Sequence, residues 1–586
     1  MLCSRSGALA AAVLLTTGIT SAATTTYTSV WSGGTIAPGD AVVLADGATV
    51  GGPIAIDGTL QFHQTTALTI ATTVSGTGTL ALTNTGTLSL TGLASGTGRY
   101  DLAINAASGG LNIGSTGTNP LIIGDTGAGS LAVTGGGIVR NGIGYLGFNA
   151  GSMGTATVSS GTWFNAAGSS GRILYVGFSG TGSLDVSGGT VTNSNGYVGF
   201  NAGSMGTVTV SSGTWQNRGP LYLGGGVGGT GGMGTLTVSG GQVTSTFGHL
   251  GANTTGVGGA VISGGTWSMT VNLNVGTSGT GTLTISGSGG TGGSVIVGGT
   301  VSRGASGAIN LNSGGTLQIG TGTTTGGLAT DLVNNGTLIF NRTGSGTVAT
   351  AISGSGALVL AGSGTLTFAG TNSFTGPTAV DAGALSITGA FGTSAVSVNS
   401  GGRLLGSGTL GGPVTVTGGG ILSPGVGIES LAVGAVDLFD GSAFVSELSS
   451  SAPLSAAADL LSIAGNLSLS GTVDLVLLDL AVTPAAFPNG TTLSLASYTG
   501  GWNGGLFRLG DSTLADGATF FAGSQQWLID YDATLGGANF TGDQLAGGSF
   551  VNLVAVPEPS TMAMLAVGMA SWGMLRERQQ TTRSRR

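Results

Sequence analysis

The sequence predicts an all-β chain: a parallel β-helix, or solenoid, ending in a β cap that is followed by a single hydrophobic helix. Three observations carry this expectation. Glycine supplies 121 of the 586 residues, while charged residues make up 6% and apolar residues 40%. Short Val/Leu/Ile/Thr runs alternate with Gly turns along most of the chain, the pattern of an all-β repeat protein. One stretch also recurs almost unchanged: residues 145–163, YLGFNAGSMGTATVSSGTW, return at 197–215 as YVGFNAGSMGTVTVSSGTW, with 17 of 19 positions identical. A disordered chain would be poor in apolar residues and rich in charge. Collagen would need Gly at every third position and abundant proline, whereas the chain has 12 prolines and no such period.

Residues 1–22 read as a secretory signal peptide. Arg5 supplies a positive start, residues 8–19 are mostly apolar, and Thr20-Ser21-Ala22 offers small residues for cleavage between Ala22 and Ala23. About 12 apolar residues fall short of the ~20 that span a bilayer. The single cysteine, Cys3, lies in this leader, so the remainder has no disulfide or thiolate chemistry. Residues 23–130 are assigned to an N-terminal solenoid region.

Residues 131–300 hold the clearest repeats. Aligned on the last residue of each unit, Val139, Trp163, Val191, Trp215, Val243, Trp267 and Val295 are spaced alternately 24 and 28 residues apart. A unit of about 26 residues cannot close a core alone and must stack on its neighbours. This predicts the seven positions in register on successive parallel coils ~4.8 Å apart. Val, Leu and Ile face inward, Thr fills outward strand positions, and Gly supplies turns with φ > 0. The recurring tryptophans are expected in the core rather than on a sugar-binding surface. A propeller would need four distinct strands in each 52-residue pair, but its two halves are too alike. RTX calcium repeats would need Asp, and residues 186–330 contain no Asp or Glu. The G-x-G-x-x-G matches are what so many glycines produce by chance.

Residues 301–435 change texture, with longer units expected beyond residue 330. Residues 363–389, SGTLTFAGTNSFTGPTAVDAGALSITG, lead into AVSVNSGGRLLGSGTLGGPVTVTGGGILSPG at 395–425. This stretch resembles the autotransporter-associated β-strand repeat, and the resemblance implies a right-handed β-helix passenger. No alternating-strand membrane barrel follows, so self-translocation is not expected. Residues 436–553 gather eleven acids between Asp437 and Asp543, with longer apolar strands at 473–478 and 527–531. They are assigned to a terminal cap or a small β-sandwich-like end, because a solenoid needs its last coil protected.

Residues 554–586 close the chain. Val556-Pro557-Glu558-Pro559-Ser560 precedes an apolar run at 562–575, then five arginines in the last eleven residues. Two prolines keep the motif extended, and a 14-residue helix would be ~21 Å long. The order resembles the PEP-CTERM sorting signal. That resemblance implies an exosortase-like membrane enzyme as processing partner, transient or permanent anchoring through the helix, and export to the envelope of a Gram-negative-type bacterium that makes extracellular polysaccharide. The motif is expected to hang from a short link after a cap ending near Leu553.

Lysine is absent; removing both processed ends leaves 21 acids against 8 arginines, a net −13. Such a surface gives no footprint for nucleic acid. The enzyme alternative is a polysaccharide-binding or polysaccharide-degrading β-helix, which would need two placed carboxylates or a base with a metal. Residues 186–330 offer only Arg218, Arg303 and His249, while Asp530 and Asp532 share one face of a strand. His63 and His249 lack metal-ligand spacing. No catalytic, cofactor or metal residue is assigned, and the reading is a structural or adhesive surface protein.

Overall fold

Along each repeat the burial alternates strictly, and this alternation builds the architecture. In Met205–Val210 (MGTVTV), Gly206, Val208 and Val210 turn inward while Met205, Thr207 and Thr209 turn outward. A computed structural model describes residues 23–72, 74–76, 79–82, 87–90, 101–105, 110–113, 120–165, 172–288, 291–540 and 548–557. Among these the chain is all β apart from a short 3₁₀ turn, Leu454–Ala456. Between residues 121 and 328 successive coils contribute strands to three parallel ladders, as a β-helix requires. The first ladder runs through 15 strands from Thr24–Tyr27 to Ile352–Ser353. The second runs from Leu68–Ile70 to Leu467–Leu469. The third runs from Leu121–Ile123 to Gly327–Leu328, and a further parallel sheet begins at Gly346–Val348.

The seven repeat anchors form one continuous row on the second ladder. Val139 pairs with Trp163, Trp163 with Val191, Val191 with Trp215, Trp215 with Val243, Val243 with Trp267, and Trp267 with Val295. All are fully buried. The 52-residue superperiod has a packing reason. A bulky indole on one coil meets the smaller Val on the next, and its N–H needs a buried acceptor. The preceding coil supplies that acceptor two residues beyond its Val. Trp163 Nε1 donates to Asn141 Oδ1 and Trp215 Nε1 to Asn193 Oδ1, each at 2.7 Å, and Trp267 Nε1 to Ser245 Oγ at 3.1 Å.

One glycine row is dictated by the stacking. Gly147, Gly177, Gly199, Gly224, Gly251 and Gly276 end the third-ladder strands with φ between 63° and 77°. A Cβ on Gly147 would lie 2.2 Å from the Thr181 carbonyl oxygen of the next coil. Only glycine combines the left-handed conformation with that approach.

Between residues 295 and 414 the coils become shorter, not longer, which corrects the expectation for that stretch; only past Val436, which pairs with Leu467, do they lengthen. Leu338 pairs with Leu358 twenty residues on, and Thr378 with Val396 eighteen residues on. The tighter coil is filled by Phe340, Phe368, Phe374 and Phe391, all buried and packed edge to face. The parallel ladders also cross residue 436 without a break, through Val436–Leu438 to Leu467–Leu469 and through Ala443–Leu448 to Val473–Asp479. Antiparallel pairing takes over at Thr492–Tyr498, which lies beside Ser549–Val556, then Gln525–Ala533 and Thr519–Ala522. The cap is this four-stranded antiparallel unit. It grows from the last parallel strands rather than forming a separate sandwich.

No helix among the described residues is long and apolar enough to cross a membrane. The hydrophobic helix expected at 562–575 and the leader at 1–22 lie outside the described residues.

Candidate functional site

The sorting motif starts inside the cap. Ser549–Val556 is flanked on both sides, by Thr492–Tyr498 and by Gln525–Ala533. Val556 pairs with Gln526, so ordered pairing reaches the first motif residue. The short link expected after Leu553 is therefore absent: Leu553, Val554 and Ala555 are sheet residues paired to Leu493, Thr492 and Trp527. Pro557 follows at once and cannot donate to a ladder. Glu558, Pro559 and Ser560 lie outside the described residues, as does Ala22. At the other end Ala23 donates its N–H to Asp40 Oδ1 at 2.9 Å, and its carbonyl accepts from Ala41. The first residue after the expected leader thus already belongs to the first coil.

Asp530 and Asp532 do share a face of Gln525–Ala533, and the structure adds Asp516, giving three carboxylates whose oxygens lie within 4.8 Å of one another. Two oxygens in this group already accept backbone hydrogens: Asp516 Oδ1 from Tyr531 at 3.1 Å, and Asp530 Oδ1 from Asp532 at 3.3 Å. Burial pushes the Asp530 carboxyl above its ordinary value, with Asp516 and Asp532 adding to the rise. Sequence reasoning missed Asp516, although the signal was there. The hairpin register of Thr519 with Leu528, continued outward by three residues, puts position 516 opposite Tyr531. The group folds the cap: Tyr531 also donates its hydroxyl to Leu514 O and accepts from the Phe507 N–H.

The remaining candidates stay apart. His63 ends a first-ladder strand, while His249 sits several coils away on the third ladder. Arg218 is exposed beside the second ladder. Arg303 edges a groove of about 450 Å³ with Asn310, Asp331, Val333 and Ser353. Its Nε and Nη1 are tied to Thr330 Oγ1 and Gly307 O.

A surface feature with no assigned role in the sequence reading runs along the third ladder. Tyr145, Tyr175, Tyr197, Tyr222 and His249 stack ring on ring, with centroids 5.0, 5.1, 5.1 and 4.7 Å apart. Phe148, Phe178 and Phe200 form a second stack set edge-on against the tyrosines. Its signal is the recurring aromatic–aliphatic–Gly triplet: YLG at 145, YVG at 175 and 197, YLG at 222, HLG at 249. Ring faces are taken up by neighbouring rings, so within the stack a sugar finds edges rather than open faces. Burial, followed by Tyr145 and Tyr197, pushes the Tyr175 hydroxyl up to about 12. The repeat tryptophans Trp163, Trp215 and Trp267 cannot serve as a sugar platform either, being fully buried.

Fold and motif together define a stacked-coil repeat protein whose last cap strand runs directly into a sorting signal. Residues 555–579 match the PEP-CTERM protein-sorting motif, and residues 358–387 match the passenger-associated-transport-repeat. Over 102 residues the chain is 38% identical to the Adhesin BmaC autotransporter of Brucella suis biovar 1 (strain 1330), a stretch covering 17% of this chain and 3% of that protein. The match thus spans only a small part of that relative.

Proposed function

We propose that this protein is an exported, cell-surface structural solenoid with an adhesive role, released or anchored through its C-terminal motif by an exosortase-type enzyme. The observation that carries the reading is the sorting-motif match at 555–579, which begins on the last residues of a capped solenoid. The passenger-type repeat at 358–387 and the stretch shared with an adhesin support the adhesive part. In this reading the leader is cut after Ala22, freeing the stack at its first coil. Residues 562–575 then hold the chain in the membrane until processing. The outward positions of the central first-ladder strands are largely Thr, headed by Met153, Met205 and Met233, and carry few charges, which suits contact with neutral extracellular polysaccharide.

The test is intact-mass measurement of surface-extracted protein from cells with and without the exosortase, together with binding of each strain to its matrix. Processing should give a C-terminus between residues 557 and 579 in exosortase-positive cells only. Full-length chains ending at Arg586 in both strains would overturn the sorting claim. Unchanged matrix binding on deleting the gene would overturn the adhesive one.

A further inference from the structure

We infer that the free edge of the last full coil, residues 475–480, pairs with the same edge of a second copy of this chain. Val473–Asp479 stacks in parallel on Ala443–Leu448, from Ala443 opposite Asp474 to Leu448 opposite Asp479. On its other side only Val473 and Asp474 have strand partners, Phe507 and Arg508. Arg508 fastens that short contact, with Nε and Nη2 at 2.7 and 2.6 Å from Asp474 Oδ1. From Leu475 onward no strand lies against this edge among the described residues.

The following segment is drawn the other way. The Asp479 carboxylate accepts from the Ser450 N–H at 3.2 Å, the Ser450 hydroxyl at 2.7 Å and the Ala481 N–H at 2.9 Å. Ala485 then donates to Ser450 Oγ at 3.0 Å. These bonds hold residues 480–485 towards the preceding coil. The edge is left with Val476, Leu478 and Leu480 at 36, 43 and 46% exposure. Leu477, which should face the core, is only partly buried, unlike Val473 and Leu475.

Natural sheets blunt such an edge with Lys, Pro or charge. This one carries none between Leu475 and Leu478, and the next proline is Pro484. The occupant follows from self-complementarity. In an antiparallel pair centred on Leu477, Val476 of each copy faces Leu478 of the other and Asp479 faces Leu475, while Asp474 stays paired with Arg508 at the end of the contact. No two carboxylates meet, and the two-fold axis makes every contact twice. The same edge already takes a strand of this chain at Val473 and Asp474. So short a pairing buries less than the ~1,000 Å² of a stable interface. It is weak between free molecules and strong between copies held side by side, where tethering supplies effective concentrations on the order of mM. That last step rests on the surface location proposed above; the pairing itself does not.

The experiment uses the full chain carrying Cys3→Ser, so that added cysteines stand alone. Chains with Val476→Cys and with Leu478→Cys are mixed and mildly oxidised, with Val426→Cys, 73% exposed elsewhere on the solenoid, as control. The mixed disulfide should form at least tenfold more than any pair including Val426→Cys. Adding Leu477→Lys to both chains, which sets like charges against each other across the two-fold axis, should return it to the control level. Equal yields for all pairs, or a yield indifferent to Leu477→Lys, would overturn the pairing. Protection of Leu478→Cys from a maleimide in monomeric protein would also overturn it, because the chain's own tail would then hold the edge. All these readouts are independent of exosortase, so they fail or succeed separately from the sorting claim.

Discussion

Each buried indole is held by two residues that the chain places one coil apart. Trp215 is fully buried between Val191 and Val243, and its N–H has one acceptor, Asn193 Oδ1. Asn193 also donates to Asn217 Oδ1. Trp215→Ala should therefore cost about 3–5 kcal/mol, through lost transfer energy and a cavity that rigid ladders cannot close. Asn193→Leu keeps the volume but strands the indole donor and the Asn217 acceptor, at about 1–3 kcal/mol for each unsatisfied group. In a Trp215→Phe background the indole share of that cost should vanish, since phenylalanine has no N–H to strand. Urea denaturation of the four combinations checks the coupling. Additive costs would show that the Asn–Trp bond contributes nothing. The tryptophan row was legible in the sequence because a 24/28 spacing is countable and an indole among glycines stands out. The asparagines were not, because Asn in a Gly/Ser/Thr-rich chain reads equally well as a turn residue, and only the stacking shows which side it faces.

At the scale of elements, legibility follows the similarity of the repeats. Where residues 145–163 and 197–215 are nearly identical, register, burial and glycine turns all followed from the pattern. Between residues 295 and 414 the coil contracts to twenty and then eighteen residues, but no near-identical copies recur there from which a period could be counted. The joint before the cap was equally hidden, since it depends on one carboxyl tying three strands. Asp459, fully buried, accepts from the N–H of Glu429 at 2.9 Å and of Glu447 at 2.8 Å. Burial is the largest influence and raises its carboxyl to about 7; the two N–H groups pull it down, and the Glu447 and Glu429 carboxylates push it up again. Between the ordinary value of 3.8 and about 7 the folded chain holds a proton that the unfolded chain has lost. Stability of this joint therefore falls as pH rises across that window and is level above it. Asp440 works in the opposite sense at lower pH. The Thr472 N–H holds its carboxyl below the ordinary value, so its contribution is lost only as pH falls through the acid range. Thermal unfolding followed at the cap should give a higher midpoint at pH 5 than at pH 8. Asp459→Asn should flatten the difference; equal midpoints in the parent chain would mean that Asp459 is ionised throughout.

At the scale of the whole molecule, a solenoid answers to the order of its coils more than to their number, because each coil touches only its neighbours. The alternation of Trp and Val on the second ladder makes this testable by deletion. Removing residues 164–215 takes out one full 52-residue period. Trp163 then occupies the place of Trp215, between Val139 and Val243, and keeps Asn141 as its acceptor. Every remaining coil has the neighbour type it had before. Removing only residues 164–191 deletes less chain but sets Trp163 directly against Trp215, two indoles where a Val had separated them. Overpacking of that kind costs about 1–3 kcal/mol, and straight ladders on both sides leave the coils little freedom to spread. The larger deletion should keep a β-sheet spectrum and a single transition near the parent midpoint. The smaller one should unfold at distinctly lower urea. If the order were reversed, stability would depend on coil number alone, and the Trp/Val superperiod would be an accident of duplication rather than a packing rule.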